Sequence, residues 1–252
     1  MADGFPGLDI VGCYDTIDLK ILSSGDGVTV QFDKSFMDFH RNLARHNDRS
    51  WFNANKAIYE AKVKLPMLDF IAELQPGLAK ISKYIVADPR PVGGSMFRIY
   101  RDVRFAKDKS PYKTATTAHF HHQNTDNRGH AGSAPSLYLH LEPKNSFLGA
   151  GVWQPGTEAT QQIRAAIAES PKVWTQVKGR LELIGDAYKR VPKGFDPEHP
   201  LCEDLKRKDF IARFPFTDAQ VTSPKFKQTL LANAVKAKPL LKFLANALDV
   251  PW

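Results

Sequence analysis

The chain has 252 residues, of which 42% are hydrophobic and 25% charged, and a formal net charge of +8. That composition belongs to ordinary soluble globular proteins with a substantial core, not to disordered chains, and allows one domain or two intimately packed halves. No apolar run reaches the length of a membrane span, the N-terminus lacks the basic and apolar regions of a signal peptide, and Cys13 and Cys202 form no paired motif, so a reduced, cytoplasmic setting without a membrane partner is expected.

Residues 1–31 start glycine-rich and then alternate, with Ile17, Leu19 and Ile21 followed by Val28, Val30 and Phe32 across a Ser-Gly-Asp-Gly turn. This reads as an N-terminal extension, hairpin-like or a flexible leader, ahead of a single domain over 32–252. Asp33 or Ser35 can cap a first helix whose apolar face is Phe32, Phe36, Phe39 and Leu43. His46-Asn47-Asp48 ends it, with Asn47 as a C-cap, and opens a second helix carrying Trp51, Phe52, Tyr59 and Val63. Met67, Leu68, Ile71, Leu74, Leu78 and Ile81 mark a third, with Pro66 in its first turn and Pro76 expected to kink or end it.

Residues 97–113 then hold six bases, Arg98, Arg101, Arg104, Lys107, Lys109 and Lys113, against two acids, Asp102 and Asp108, which is half of the chain's net charge. As a helix the arginines would align at i, i+3; as a strand Arg98, Tyr100, Asp102 and Arg104 share one face. The aromatic and β-branched content favours the strand, between breakers at Gly93-Gly94 and Pro111. Arg101 then projects from the more apolar face and needs a carboxylate partner or a wet cleft.

Residues 114–120 read as another strand and 121–134 as an exposed loop. Leu137, Leu139 and Leu141 alternate with Tyr138, His140 and Glu142, a half-buried strand, and 147–153 reads as its hairpin partner. Helices are expected around Ile163, Arg164 and Ile167, around Trp174, and at 202–208; strands at 188–191 and 210–216. The last helix, 226–248, is expected to break at Pro239 and to dock through Leu240, Phe243, Leu244 and Leu248. Consecutive strands argue for an α+β fold, a twisted, mainly antiparallel sheet covered by helices. Tyr100-Arg101-Asp102-Val103 and Tyr188-Lys189-Arg190-Val191 echo one another, which makes the two halves candidates for an internal duplication.

The run 98–105 with 108–113 resembles the signature of a widespread bacterial and fungal family catalogued as domain of unknown function 2461. Asn47-Asp48-Arg49-Ser50-Trp51-Phe52, the stretch Gly149-Ala150-Gly151-Val152-Trp153-Gln154-Pro155, and 191–196 with His199-Pro200 match its other motifs in order. The match spans 32–246 and departs at His46, where Asn is more usual, and at Thr160, where Leu is common. The resemblance implies no activity and supplies no catalytic residue or cofactor.

From the residues themselves, lysines and hydroxyls in 107–113 beside arginine forks suit a phosphate or carboxylate. The candidate ligand-binding set is Arg98, Arg101, Arg104, Lys107, Lys109, Tyr112, Lys113 and Trp153, and of these Arg98, Arg101, Arg104, Lys109 and Lys113 are expected to converge on one basic cleft. Trp51 and Trp153 read first as packing residues, with a groove as the alternative for Trp153 because Gly149 and Gly151 allow close approach. No phosphate loop or nucleophile elbow is present. His119, His121, His122, His130 and His140 lack an acid at matching spacing, so no metal or other cofactor is expected. His199 between prolines has the chemistry of a general acid but no paired nucleophile. The expected function is binding of a phosphate-bearing or other anionic small molecule, with at best weak, non-specific nucleic acid binding. An enzyme acting on an anionic small molecule and an interaction protein without ligand chemistry are the alternatives.

Overall fold

A computed structural model describes residues 32–125, 134–179 and 181–252. The extension at 1–31 lies outside the described residues, as does most of the expected loop at 121–134. Six strands form one antiparallel sheet: β1 (Ile85–Val86), β2 (Thr116–His122), β3 (Ser136–Leu141), β4 (Ser146–Val152), β5 (Leu183–Ile184) and β6 (Phe210–Phe216), in the order β1-β2-β3-β4-β6-β5. The helices are α1 (Lys34–Arg45), α2 (Arg49–Ala54), α3 (Lys56–Tyr59), α4 (Leu65–Ile81), α5 (Thr157–Glu169), α6 (Pro171–Lys178), α7 (Cys202–Leu205), α8 (Asp218–Val221) and α9 (Phe226–Ala247). A π-helical turn, Glu60–Lys64, joins α3 to α4. The fold is α+β, as the consecutive strands implied. Among the described residues no helix is long and apolar enough to cross a membrane.

Local chemistry accounts for the first element. The Asp33 carboxylate accepts from the backbone N–H of Ser35 and Phe36 and caps α1. Phe32 then packs against Phe36, Phe70 and Phe226, tying α1 to α4 and α9. Each large side chain buried this way contributes ~1.5–3 kcal/mol. Strand register sorts the sheet into two faces. Leu137 and Leu139 of β3, Leu148 and Ala150 of β4, and Phe210 and Ala212 of β6 are fully buried, and the clusters they join also hold residues of α1, α4, α5, α6 and α9. Phe214 touches both clusters. The residues between them, Thr117, Tyr138, His140, Phe147 and Arg213, fall on the other face.

Several expectations need correction. Pro76 and Pro239 sit inside α4 and α9, which run on through them. Pro76 and Ala72, whose carbonyl the proline cannot bond, both lie on the exposed side of α4, where water solvates the freed carbonyl. Buried Leu74, Gly77 and Leu78 hold α4 in place, and Ala237, Leu240 and Leu241 do the same for α9. Residues 97–105 form no strand, only an isolated bridge at Tyr100, with another at Met96 just before them. In the second half the short strand falls at β5 instead of 188–191; Tyr188 N–H bonds the Lys206 carbonyl beside an isolated bridge from Ala187 to Arg207. His121 and His122 end β2 instead of opening a loop, and His122 is buried, donating from Nε2 to the Pro251 carbonyl at 2.8 Å.

Gly151 ends the outer face of β4 with φ +144, and a Cβ there would lie 1.9 Å from the Phe210 carbonyl oxygen. At Gly149 the same atom would meet only ordinary contacts at 3.6 Å and beyond. In urea unfolding, Gly151→Ala should therefore lose about 2 kcal/mol or more, and Gly149→Ala under about 1 kcal/mol. Equal losses at the two positions would contradict this register.

Candidate functional site

The basic segment is built as an irregular arm along the part of the β2 edge that β1 leaves open. Ser95 accepts from His119 N–H at 2.9 Å and Phe97 N–H donates to Thr117 at 3.0 Å. Further on, Lys113 N–H donates to Ile99 at 2.8 Å and Arg101 N–H to Pro111 at 2.9 Å. Met96 faces Ala118 while Tyr100 faces Tyr112, so the 112–118 side carries extra residues at Thr114 and Ala115. Such a bulge breaks the ladder and re-aims side chains, which is why the alternation over 97–105 does not become a strand.

A side chain closes this arm. Asn47 donates from Nδ2 to the Tyr112 carbonyl and accepts Tyr112 N–H at Oδ1, both at 3.0 Å. It thus imitates a strand neighbour for Tyr112, and His46 is the C-cap of α1 instead. The Tyr112 ring stacks on Phe52 at 4.1 Å.

Between arm and sheet lies a cleft of about 650 Å³. Asn47 comes from the end of α1; Arg101, Asp108, Ser110, Tyr112 and Lys113 from the arm; Thr117, Tyr138, His140 and Glu142 from the open sheet face; and Trp153 from the end of β4. Of the candidate residues, then, Arg101, Tyr112, Lys113 and Trp153 meet in one place. Arg98 lines an adjoining hollow of about 260 Å³ that shares Phe97 with the cleft. Arg104, Lys107 and Lys109 line neither. The expected convergence of Arg98, Arg101, Arg104, Lys109 and Lys113 is therefore not what the structure has.

The reason is that the loop's two acids and its backbone carbonyls take up three of its bases. Arg101 pairs with Asp108 at 2.5 Å and donates to the Ser110 carbonyl at 3.2 Å, which satisfies its need for a partner while it borders the cleft. Arg104 forks onto Asp102, and the Lys109 ammonium donates to the Val103 carbonyl at 3.0 Å. The Ser110 hydroxyl and then Arg101 hold Asp108 far below the ordinary carboxylate range. Lys113 is different. Its ammonium stands 5.1 Å over the Phe97 ring and, among the described residues, has no carboxylate or hydrogen-bond partner. Burial, and then the positive charge of Arg98, push its pKa down.

Trp153 is 61% exposed and is a wall of the cleft, not a packing residue. Its position follows from the turn behind it. Gln154 takes φ +46, and its N–H donates to buried Asp209 at 2.8 Å, while Asp186 N–H donates to the other oxygen at 3.0 Å. A carboxylate holding two backbone donors fixes where β4 ends.

Sequence reasoning placed Tyr138, His140 and Glu142 on one strand face and weighed His140 as a metal ligand, but it put neither Tyr138, His140 nor Thr117 in the candidate set. Glu142 accepts from Thr114 at 2.8 Å, Asn145 at 2.9 Å and His140 Nε2 at 3.2 Å. Burial alone would raise its pKa, but these bonds, with Asn145 first, hold it below the ordinary value. Burial pushes the Tyr138 phenol up, with Thr117 opposing and Glu142 adding. Behind the sheet, His40 bonds Thr116 through Nε2 at 2.8 Å, and its buried Nδ1 has no partner among the described residues. Burial takes the His40 pKa from 6.5 to about 4, and His119 likewise to about 4. His199 accepts Leu201 N–H at Nδ1 at 3.0 Å in a turn and does not line the cleft. Among the described residues no three of His, Cys, Asp and Glu gather as a metal would need, and His130 lies outside them.

A family model described as a conserved hypothetical protein (DUF2461) matches residues 35–243. No curated protein and no solved structure matches the chain.

Asn47→Ala removes both bonds to Tyr112 and should cost about 1–3 kcal/mol in chemical denaturation while freeing the arm. Unchanged stability would show that the clamp is idle. Acid should also weaken the fold early. Because the folded pKa of His40 lies below the unfolded value, the unfolded chain takes the proton more readily, so stability is complete above pH 6.5 and declines as pH falls towards 4. The full effect is up to about 3 kcal/mol. His40→Gln should flatten the part of a urea-midpoint profile between pH 6.5 and 5 that His40 contributes; an unaltered slope would count against a buried neutral His40.

Proposed function

The chain belongs to the DUF2461 family, and because that description names no activity we propose its function from the cleft: it binds a phosphate-bearing or similar anionic small molecule. The observation that carries this reading is Lys113. Its ammonium is half-buried, lacks an anionic partner among the described residues, and is opposed by neighbouring Arg98. An anion at this point offsets both the burial and the repulsion, which gives it a reason to bind there and not at the ion-paired tip of the loop. Trp153 adds an apolar wall on which a ring or sugar face can rest. Pairing of Arg101 and Arg104 with acids of the same loop leaves less free charge for tracking a long phosphate backbone, so nucleic acid is bound weakly and without sequence preference. The free thiol of Cys202 fits a reducing, cytoplasmic setting.

Inorganic phosphate is the simplest probe. A ligand at a hundred times its dissociation constant stabilises by about 2.7 kcal/mol, a rise of several degrees in Tm for a chain of this size. Lys113→Gln should abolish that rise, Arg98→Gln should reduce it, and Arg104→Gln should leave it intact. Equal phosphate shifts in the wild type and Lys113→Gln, or none in the wild type at tens of millimolar, would sink the reading.

A further inference from the structure

Anion binding leaves one part of the cleft without a role. Along β3, Tyr138, His140 and Glu142 follow one another on the open face. An ionised carboxylate only accepts, so the 3.2 Å contact with Glu142 places the imidazole proton on Nε2 of His140. Nδ1 is then an acceptor, and it faces the Tyr138 hydroxyl at 3.5 Å. Thr117, on the neighbouring strand, pairs opposite His140 and lines the same cleft. The His140 ring lies flat on Phe147, with 5.0 Å between centroids and 14° between planes, so its orientation is fixed from the side as well. A base, the group that orients it and a hydroxyl relay therefore share a cleft with an unpaired ammonium.

Two of the cleft's other hydroxyls, on Ser110 and Thr114, are poor nucleophiles. Ser110 donates to Asp108 at 2.6 Å, and Asp108, stabilised as an anion by Ser110 and Arg101, is too weak a base to activate it. Thr114 donates to Glu142. The chemistry that suits this set is one in which the substrate brings its own nucleophile next to a phosphate, and a ribose 2′-hydroxyl beside a phosphodiester does so. Exposed Trp153 supplies a face on which a base can stack.

We propose that the cleft cleaves RNA, with Tyr138 and His140 as proton relay, Glu142 as the positioning residue and Lys113 at the scissile phosphate. This rests on the anion-binding reading. The 2′-hydroxyl gives its proton to the Tyr138 oxygen as Tyr138 passes its own to Nδ1 of His140. The resulting imidazolium is stabilised by Glu142. The 2′-oxygen bonds to phosphorus, the bond from phosphorus to the 5′-oxygen breaks, and the departing oxygen takes a proton from the Lys113 ammonium. Exchange with water resets both groups, and the products are a 2′,3′-cyclic phosphate and a 5′-hydroxyl. No electrons change hands.

The full-length chain, incubated with a fluorescent mixed-sequence RNA oligonucleotide and EDTA, should cut it to cyclic-phosphate ends. It should leave the 2′-O-methyl and DNA versions whole. Tyr138→Phe and His140→Asn should each lose about 100-fold in rate or more while keeping the phosphate-induced rise in Tm. Glu142→Gln should lower kcat at least about tenfold with KM nearly unchanged, which a merely structural loss would not do. Intact RNA in the presence of wild type overturns the proposal. So does equal cleavage by identically prepared His140→Asn, which would mark a contaminant, or equal cleavage of the 2′-O-methyl strand. Intact RNA with a phosphate shift that still depends on Lys113 would remove the relay and leave anion binding standing; cleavage without any phosphate shift would support the relay and remove the free-phosphate reading.

Discussion

In β3, Leu137, Leu139 and Leu141 turn towards the helical layer and are fully buried, so Tyr138, His140 and Glu142 must turn the other way. Register carries the same division across β2, β4 and β6. A slip of one residue would put three polar groups into the leucine core and three leucines into the cleft. Packing on one face of the sheet thereby determines the chemistry of the other, and the side chains of the site inherit the rigidity of the ladder that carries them.

Charge in the arm is arranged by a second constraint, the cost of crowding like charges. Asp102 and Asp108 each draw the nearest arginine into the loop, and Lys109 folds onto backbone carbonyls. These exposed pairs add little to stability. Their consequence is selection: Asp102 and Asp108 offset two of the six cations of 97–113, and Lys113 alone of its cations enters the cleft without a polar partner among the described residues.

Two residues outside the chemistry hold its edges. Asn47, at the end of α1, stands in for a missing strand beside Tyr112, and Asp209, at the start of β6, binds the turn that follows Trp153. Both satisfy backbone groups that irregular chain leaves without a ladder partner. The cleft is consequently tied to the α1 helix on one side and to β6 on the other, far apart in sequence.

Periodicity alone was enough to locate α1, the β3–β4 hairpin and β6, because the 3.6 and 2.0 repeats and the Asp33 cap act between residues close in the chain. The family resemblance was equally legible, since motifs in order survive without any knowledge of contacts. What only the tertiary structure decided was every point where a distant group overrides a local rule. Pro76 and Pro239 stay inside helices because buried neighbours pin the chain on either side. The 97–105 alternation fails as a strand because the bulge at Thr114 and Ala115 spoils its pairing. Asn47 leaves its capping role for Tyr112, 65 positions away. Which of six bases would face a cleft could not be read from spacing, because the answer depends on which acids the folded loop brings within reach, and hydrogen bonds and ion pairs act over a few ångströms of space, not along the chain.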